Sequence, residues 1–69
     1  MKYFIFRDDK TVAIAFNNRG HSRYMQVKFD EAVEDYNEAI KLNPKLSVSY
    51  YNRGTIFYRL GKIYIFRYF

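Results

Sequence analysis

The sequence predicts an all-α fold made of antiparallel helix-turn-helix repeats, with a short aromatic segment at each terminus. The segment FDEAVEDYNEAIKLNP, residues 29–44, spaces its apolar residues three and four positions apart, which places them on one face of a helix. The flanking segments, at about 11–26 and 45–60, show the same spacing more weakly. These two segments also align with each other at an offset of 34 residues, a length typical of a two-helix repeat.

The first predicted helix covers about 11–26. Three residues can cap its N-terminus: Asp8, Asp9 and Thr11. Its stripe contains residues that recur every four positions: Val12, Phe16, Gly20 and Tyr24. Because a glycine inside a helix costs about 1 kcal/mol relative to alanine, we infer that Gly20 lets a neighbouring helix come close. The small residues predicted at this contact are Ala32 and Ala39 of the next helix.

The second and third predicted helices have clear ends. Helix 29–44 has acidic residues in its first turn and Lys41 near its last, which suits the helix dipole, and Asn43-Pro44 ends it. The third helix, at about 45–60, is followed by Gly61, a residue that favours helix termination. Its predicted buried face consists of Leu46, Tyr50, Gly54, Phe57 and Leu60.

Length and composition limit the possible functions. The 69 residues allow one small domain, and there is no cysteine. The one histidine, His21, has no ligand-type residue at i+3 or i+4, so we predict no metal site and no cofactor. Neither a phosphate-binding loop nor a nucleophile-base pair appears, and we therefore expect no enzyme. No apolar run approaches the length of a membrane span, and we expect a cytoplasmic protein without membrane contact.

Two nine-residue stretches carry the repeat: FNNRGHSRY at 16–24 and YYNRGTIFY at 50–58. Together with the apolar pattern of 29–44, they make the chain resemble the tetratricopeptide repeat (TPR) family over about 11–63. The residues that match the second-helix signature of the family are Phe29, Ala32, Tyr36, Ala39 and Pro44. The resemblance divides the chain into an apolar segment at 1–10, a first repeat at 11–44, and a second at 45–69 that departs from the pattern after Ile63, where the aromatic tail YIFRYF follows.

The resemblance implies a TPR-like α-solenoid fragment whose first helices line a concave groove. Such a groove usually holds an extended peptide or a partner helix, so we expect a protein–protein interaction scaffold. The groove positions carried over to this chain are Asn17, Asn18, His21, Tyr24, Tyr51, Asn52, Thr55, Tyr58 and Arg59. Asparagine amides both donate and accept, and tyrosines are common binding hot spots, which suits peptide recognition. The family's clamp for a C-terminal carboxylate is not expected, because Asn17 stands at the position of a clamp lysine and His21 at the position of its asparagine.

Charge alternates along the chain in three blocks: +4 over 1–28, −4 over 29–44 and +5 over 45–69. We expect the blocks to neutralise each other when packed, with Arg19 reaching Asp35 or Glu34 across the first helical hairpin. The basic first helices favour an acidic peptide as the partner. Nucleic-acid binders more often carry one continuous basic face, which argues against such a partner here.

Two alternatives to a single groove-binding scaffold stay open. The first helices interleave arginine with tyrosine, a combination that binds single-stranded nucleic acid. The chain can also be a fragment of a longer repeat array, because each repeat buries its apolar face on the next. One and a half repeats with apolar ends would expose a large patch. The terminal segments can cover it by folding back as short irregular caps, or two or more chains can assemble, and of these we expect self-association into a homo-oligomer.

Overall fold

A computed structural model of the chain describes residues 8–61. It contains three α-helices, α1 (Asp9–Met25), α2 (Phe29–Leu42) and α3 (Ser47–Leu60). No strand occurs among the residues it describes. The prediction of an all-α helical repeat is therefore confirmed. The question whether 1–7 and 62–69 form helix or strand lies outside the described residues.

α1 begins two residues earlier than the predicted start at Thr11, because Asp8 caps it. One carboxylate oxygen of Asp8 accepts a hydrogen bond from the backbone N–H of Lys10 at 3.2 Å. The other oxygen accepts one from the hydroxyl of Thr11 at 2.8 Å. An N-cap carboxylate satisfies donors that have no partner within the helix, so the chain turns helical directly after it.

The two connections between helices are short turns. Val27, between α1 and α2, has a φ of +64°, and the backbone N–H of Lys28 donates to the carbonyl oxygen of Arg23 at 2.8 Å. Between α2 and α3 the side chain of Asn43 accepts a hydrogen bond from the N–H of Lys45 at 3.2 Å. This side-chain turn competes with the helix, which explains why α3 begins at Ser47 and not at 45.

α1 and α2 pack closely at Gly20. A Cβ atom on Gly20 would lie 2.8 and 2.9 Å from two ring carbons of Tyr36, and 3.2 Å from the Cβ of Asp35. The predicted close approach is therefore confirmed. The three nearest atoms belong to Tyr36 and Asp35, so these two residues make the closest approach, while the contact predicted for Ala32 and Ala39 stays a prediction.

α2 lies between the other two helices and supplies most of the core. Its residues Ala32, Val33 and Tyr36 are buried in one cluster with Ile56 and Phe57 of α3. On the α1 side, Ala13 and Gly20 are buried as well. The prediction that both neighbouring helices cover the apolar stripe of 29–44 is confirmed.

α3 does not bury the face that its sequence predicts. Of the five predicted positions only Phe57 is buried, whereas Tyr50 is 43% exposed and Gly54 is exposed. Ser49 and Ile56, on the adjacent side of the helix, are fully buried in its contacts with α1 and α2. The face predicted from the apolar pattern is therefore a different face of α3. It corresponds, at the repeat offset, to the side of α1 that packs against α2.

Ionisation of the buried phenol of Tyr36 should lower the stability of the fold at alkaline pH. Burial, with smaller contributions from Tyr24 and Asp35, raises the pKa of Tyr36 from 10.0 to about 12. The folded state therefore holds this proton more tightly than the unfolded state, and stability falls as pH rises between about 10 and 12. We expect a loss of about 2 kcal/mol, because one pKa unit corresponds to about 1.4 kcal/mol. Urea unfolding at pH 9 and pH 12 measures it.

The matched variant for this measurement is Tyr36→Phe, which keeps the ring and removes the ionisable group. Wild type should lose more stability over this pH interval than the variant does, since the other tyrosines and lysines titrate in both. Equal losses in the two proteins would mean that Tyr36 ionises as easily in the folded state as in the unfolded state.

Candidate functional site

The seam between α1 and α3 is polar and centres on Asn17. This predicted groove residue is only 8% exposed. Its amide oxygen accepts hydrogen bonds from the hydroxyl of Ser49 at 2.8 Å and from the amide nitrogen of Asn52 at 3.2 Å. The structure thus places Asn17 inside the contact between the two repeats, where it fixes the orientation of Asn52.

A shallow pocket of about 110 Å³ opens beside this seam. Its lining residues are His21, Tyr24, Tyr36, Tyr51, Asn52 and Thr55. Pockets for drug-sized ligands are several times larger, at about 300–1,000 Å³, so this one suits a single side chain of a larger partner. Five of the six lining residues belong to the set predicted from the sequence.

Tyr24 forms one wall of the pocket and is held from several sides. Its hydroxyl accepts a hydrogen bond from Arg59 at 2.9 Å, and the guanidinium carbon of Arg59 lies 5.8 Å from the centroid of its ring. The ring also lies 6.3 Å from that of His21, nearly parallel, and 5.6 Å from that of Phe29. These contacts link the end of α3 to α1 and fix the shape of the wall.

The remaining predicted residues differ in their position. Tyr51 is 74% exposed and lies on the rim, while the Thr55 hydroxyl donates to the Tyr51 carbonyl oxygen at 2.9 Å. Asn18 and Tyr58 are exposed and do not line the pocket. Tyr36 is the one lining residue that was not predicted from the sequence. The apolar pattern of the second helix assigned Tyr36 to the hydrophobic core instead.

Comparison with known proteins identifies the family. A family model described as TPR repeat matches residues 20–61, more than half of the chain. The chain belongs to the TPR family. The match begins at Gly20 and includes α2 and α3, so it covers all six residues that line the pocket.

Several curated relatives are much longer than this chain. The chain is 38% identical over 53 residues to the Hsp70-Hsp90 organizing protein of Triticum aestivum, covering 77% of this chain and 9% of that protein. It is 40% identical over 48 residues to Tetratricopeptide repeat protein 6 of Homo sapiens, covering 70% and 9%. This TPR chain therefore spans less than a tenth of the length of these relatives. No solved structure gives a significant match.

An ion cluster joins the two helices of the first TPR hairpin. Arg19 donates to both carboxylate oxygens of Asp35, at 2.8 and 3.0 Å, and Arg23 donates to one of them at 3.1 Å. Arg23 also lies 3.4 Å from a carboxylate oxygen of Glu31. The hydrogen bond from Arg19 to Asp35, with their charge attraction, raises the pKa of Arg19. The predicted pairing of Arg19 with Asp35 is confirmed, and Arg23 is an additional member that the sequence did not predict.

Within residues 8–61 no group of three His, Cys, Asp or Glu residues is placed to hold a metal ion. None of the three helices is both long and apolar enough to cross a membrane. Protein interaction is the activity typical of the TPR family.

Proposed function

We propose that this TPR chain binds a peptide in the groove between α1 and α3, with one side chain of the peptide inserted into the pocket beside Asn52. The pocket is the observation that supports this best. The pocket combines the exposed ring of Tyr51 with the side-chain amide of Asn52, which Asn17 holds in place by a hydrogen bond. Because Asn52 uses its nitrogen in that bond, its oxygen can accept from a peptide N–H.

An acidic peptide is the partner class that the charges favour. Residues 45–61 contain three basic residues and no acidic one, and Arg59 lies at the end of the groove against Tyr24. The names of the Hsp70-Hsp90 organizing relatives suggest chaperones as partners. Chaperone tails fit this chain poorly, because Asn17 stands where the family's carboxylate clamp has lysine and His21 stands where it has asparagine.

The test uses fluorescein-labelled acidic dodecapeptides from an arrayed library, with binding to the whole chain measured by fluorescence anisotropy. We expect Tyr51→Ala to weaken a selected peptide about tenfold or more, as truncation of a tyrosine hot spot usually does. Ser22→Ala is the control, since Ser22 is exposed on α1, lies outside the pocket and is not a predicted groove position. Equal weakening by both variants, or tighter binding of a single-stranded RNA oligonucleotide than of any peptide, would contradict the groove proposal.

We also propose that the chain self-associates in the cytoplasm, as expected from its sequence. The support is the number of large apolar side chains that are at least 38% exposed among residues 8–61: Ile14, Met25, Val27, Val48, Tyr50, Tyr51, Tyr58 and Leu60. Assembly of two or more chains would remove part of this apolar surface from water, which is favourable. Sedimentation velocity at micromolar concentration should show species heavier than 8.4 kDa, and a single 8.4 kDa species would contradict self-association.

A further inference from the structure

Arg59 and Tyr24 form a polar contact between the two repeats at the end of the groove. Arg59 lies in the last turn of α3, and its Nη1 donates a hydrogen bond to the phenol oxygen of Tyr24 on α1 at 2.9 Å. The guanidinium carbon lies 5.8 Å from the centroid of the same ring. We call these two side chains the Arg59/Tyr24 pair. Their mutual bond leaves hydrogen-bond donors unused on both members.

The guanidinium of Arg59 keeps one full edge for another ligand. A guanidinium has five N–H donors in a planar fork, and the bond to Tyr24 uses one of them. Arg59 is exposed, and no carboxylate of residues 8–61 forms an ion pair with it. The edge formed by Nε and Nη2 can therefore receive a carboxylate through two parallel hydrogen bonds. Arg19 and Arg23 differ in this respect, because both already bind a carboxylate of α2.

The phenol proton of Tyr24 is the second donor. Because the phenol oxygen accepts the bond from Arg59, its own proton is not used in that bond, and no hydrogen bond from it occurs among the residues that the structure describes. Hydrogen bonds in a chain polarise one another, so a phenol that is held by a guanidinium becomes a stronger donor. A charged and a neutral donor thus lie side by side, an arrangement that suits an anion.

We propose that the Arg59/Tyr24 pair binds the side-chain carboxylate of an aspartate or glutamate in the bound peptide, an inference that rests on the proposed peptide binding. Tyr24 also forms a wall of the pocket, so the carboxylate lies directly beside the side chain that enters it. Alternate residues of an extended peptide face the same side and are about 7 Å apart. The acidic residue therefore stands within two positions of the inserted one, which narrows the partner class to a peptide with this spacing.

A carboxylate fits this pair better than a phosphoryl group does. A phosphorylated side chain carries about −1.5 to −2 charges at pH 7. Proteins usually bind such a group with a cluster of arginines. Within residues 8–61, Arg59 is the one lysine or arginine with a side-chain hydrogen bond or ring contact to Tyr24. A single guanidinium balances the single charge of a carboxylate.

The experiment measures how strongly the whole chain discriminates between an acid and its amide in a labelled peptide. Acidic dodecapeptides with amidated C-termini, selected by anisotropy, are resynthesised with each aspartate changed to asparagine and each glutamate to glutamine, one at a time. We expect one replacement to weaken binding to wild type about tenfold, because it removes charge-assisted hydrogen bonds. On Arg59→Gln the same replacement should change affinity less than about twofold. Tyr24→Phe, which keeps the ring and loses the phenol proton, should give an intermediate ratio.

Lys45→Gln is the matched control for the loss of charge. Lys45 is exposed just before the start of α3, whereas Arg59 lies in its last turn, so this variant should keep the wild-type discrimination. Because each ratio compares two peptides on the same variant, partial unfolding of a variant cancels. Equal discrimination by wild type and Arg59→Gln would overturn the proposal, as would equal losses in Arg59→Gln and Lys45→Gln. Phosphoserine in place of the acid that binds more than about tenfold tighter would also overturn it, because the ligand would then be a phosphoryl group.

Tyr51→Ala keeps this proposal distinct from insertion of a side chain into the pocket. If Tyr51→Ala leaves peptide affinity unchanged while Arg59→Gln abolishes the discrimination, the carboxylate site stands and the pocket proposal fails. If Tyr51→Ala weakens the peptide while no replacement separates wild type from Arg59→Gln, the pocket proposal stands and the carboxylate site fails. A library in which no acidic peptide binds more tightly than its amide counterpart would likewise rule out the carboxylate site.

Discussion

We expect the substitution Gly20→Ala to lower the free energy of unfolding by about 1–2 kcal/mol. The added methyl group would lie 2.8 Å from the ring of Tyr36, which is only 1% exposed and cannot move into solvent. Overpacking of this kind costs about 1–3 kcal/mol. The higher helix propensity of alanine returns up to about 1 kcal/mol, which reduces the loss but does not cancel it.

The same substitution at Gly54 is the matched control and should have the opposite sign. Gly54 lies inside α3, in the same Asn-Arg-Gly motif, but no described residue would contact the new methyl group. Only the propensity gain remains, so Gly54→Ala should stabilise the chain by up to about 1 kcal/mol. Thermal melts followed by circular dichroism resolve this, since 1 kcal/mol shifts the midpoint by about 4–8 °C in a domain of this size. A stabilising effect of Gly20→Ala would contradict the packing described at Gly20, whereas a destabilising effect of Gly54→Ala would contradict only the expectation for Gly54.

The sequence predicted the features that depend on one dominant pattern. The apolar residues of α2 occupy one face and are surrounded by charged residues, so its burial between two helices followed directly. Gly20 was recognisable because a mid-helix glycine is costly without a close contact. The bond from Arg19 to Asp35 followed from opposite charges on two helices joined by a short turn.

The errors arise where a residue's role depends on which neighbour is present. On α3 the stripe through Tyr50 and Gly54 is as apolar as the stripe that is buried, and periodicity cannot tell which one meets a partner within the described residues. Asn17 has the side chain of a surface residue, but the Ser49 hydroxyl satisfies it inside the seam. Tyr36 fits a core pattern, and only the tertiary structure shows that it also lines the pocket.

The largest effect that we expect comes from Asp35→Ala. This carboxylate is 4% exposed and accepts three charge-assisted hydrogen bonds from Arg19 and Arg23. Removal of one partner of a buried ion pair costs about 3–5 kcal/mol, but the Arg19 side chain is 54% exposed and can turn to water. We therefore expect a loss of about 2–3 kcal/mol, measured as the shift in the urea midpoint at constant m-value.

Glu34→Ala provides the control for this change. It removes the same charge from the preceding position of α2, where the side chain is exposed, and should alter stability by no more than about 0.5 kcal/mol. Similar losses in both variants would mean that net charge, and not the ion cluster, stabilises the hairpin.

Exchange of the two charges in the double variant Arg19→Asp/Asp35→Arg distinguishes an ion cluster from a simple ion pair. A simple pair would recover its stability, but here Arg23, 3.1 Å from Asp35, would face a second guanidinium, so we expect recovery to be incomplete.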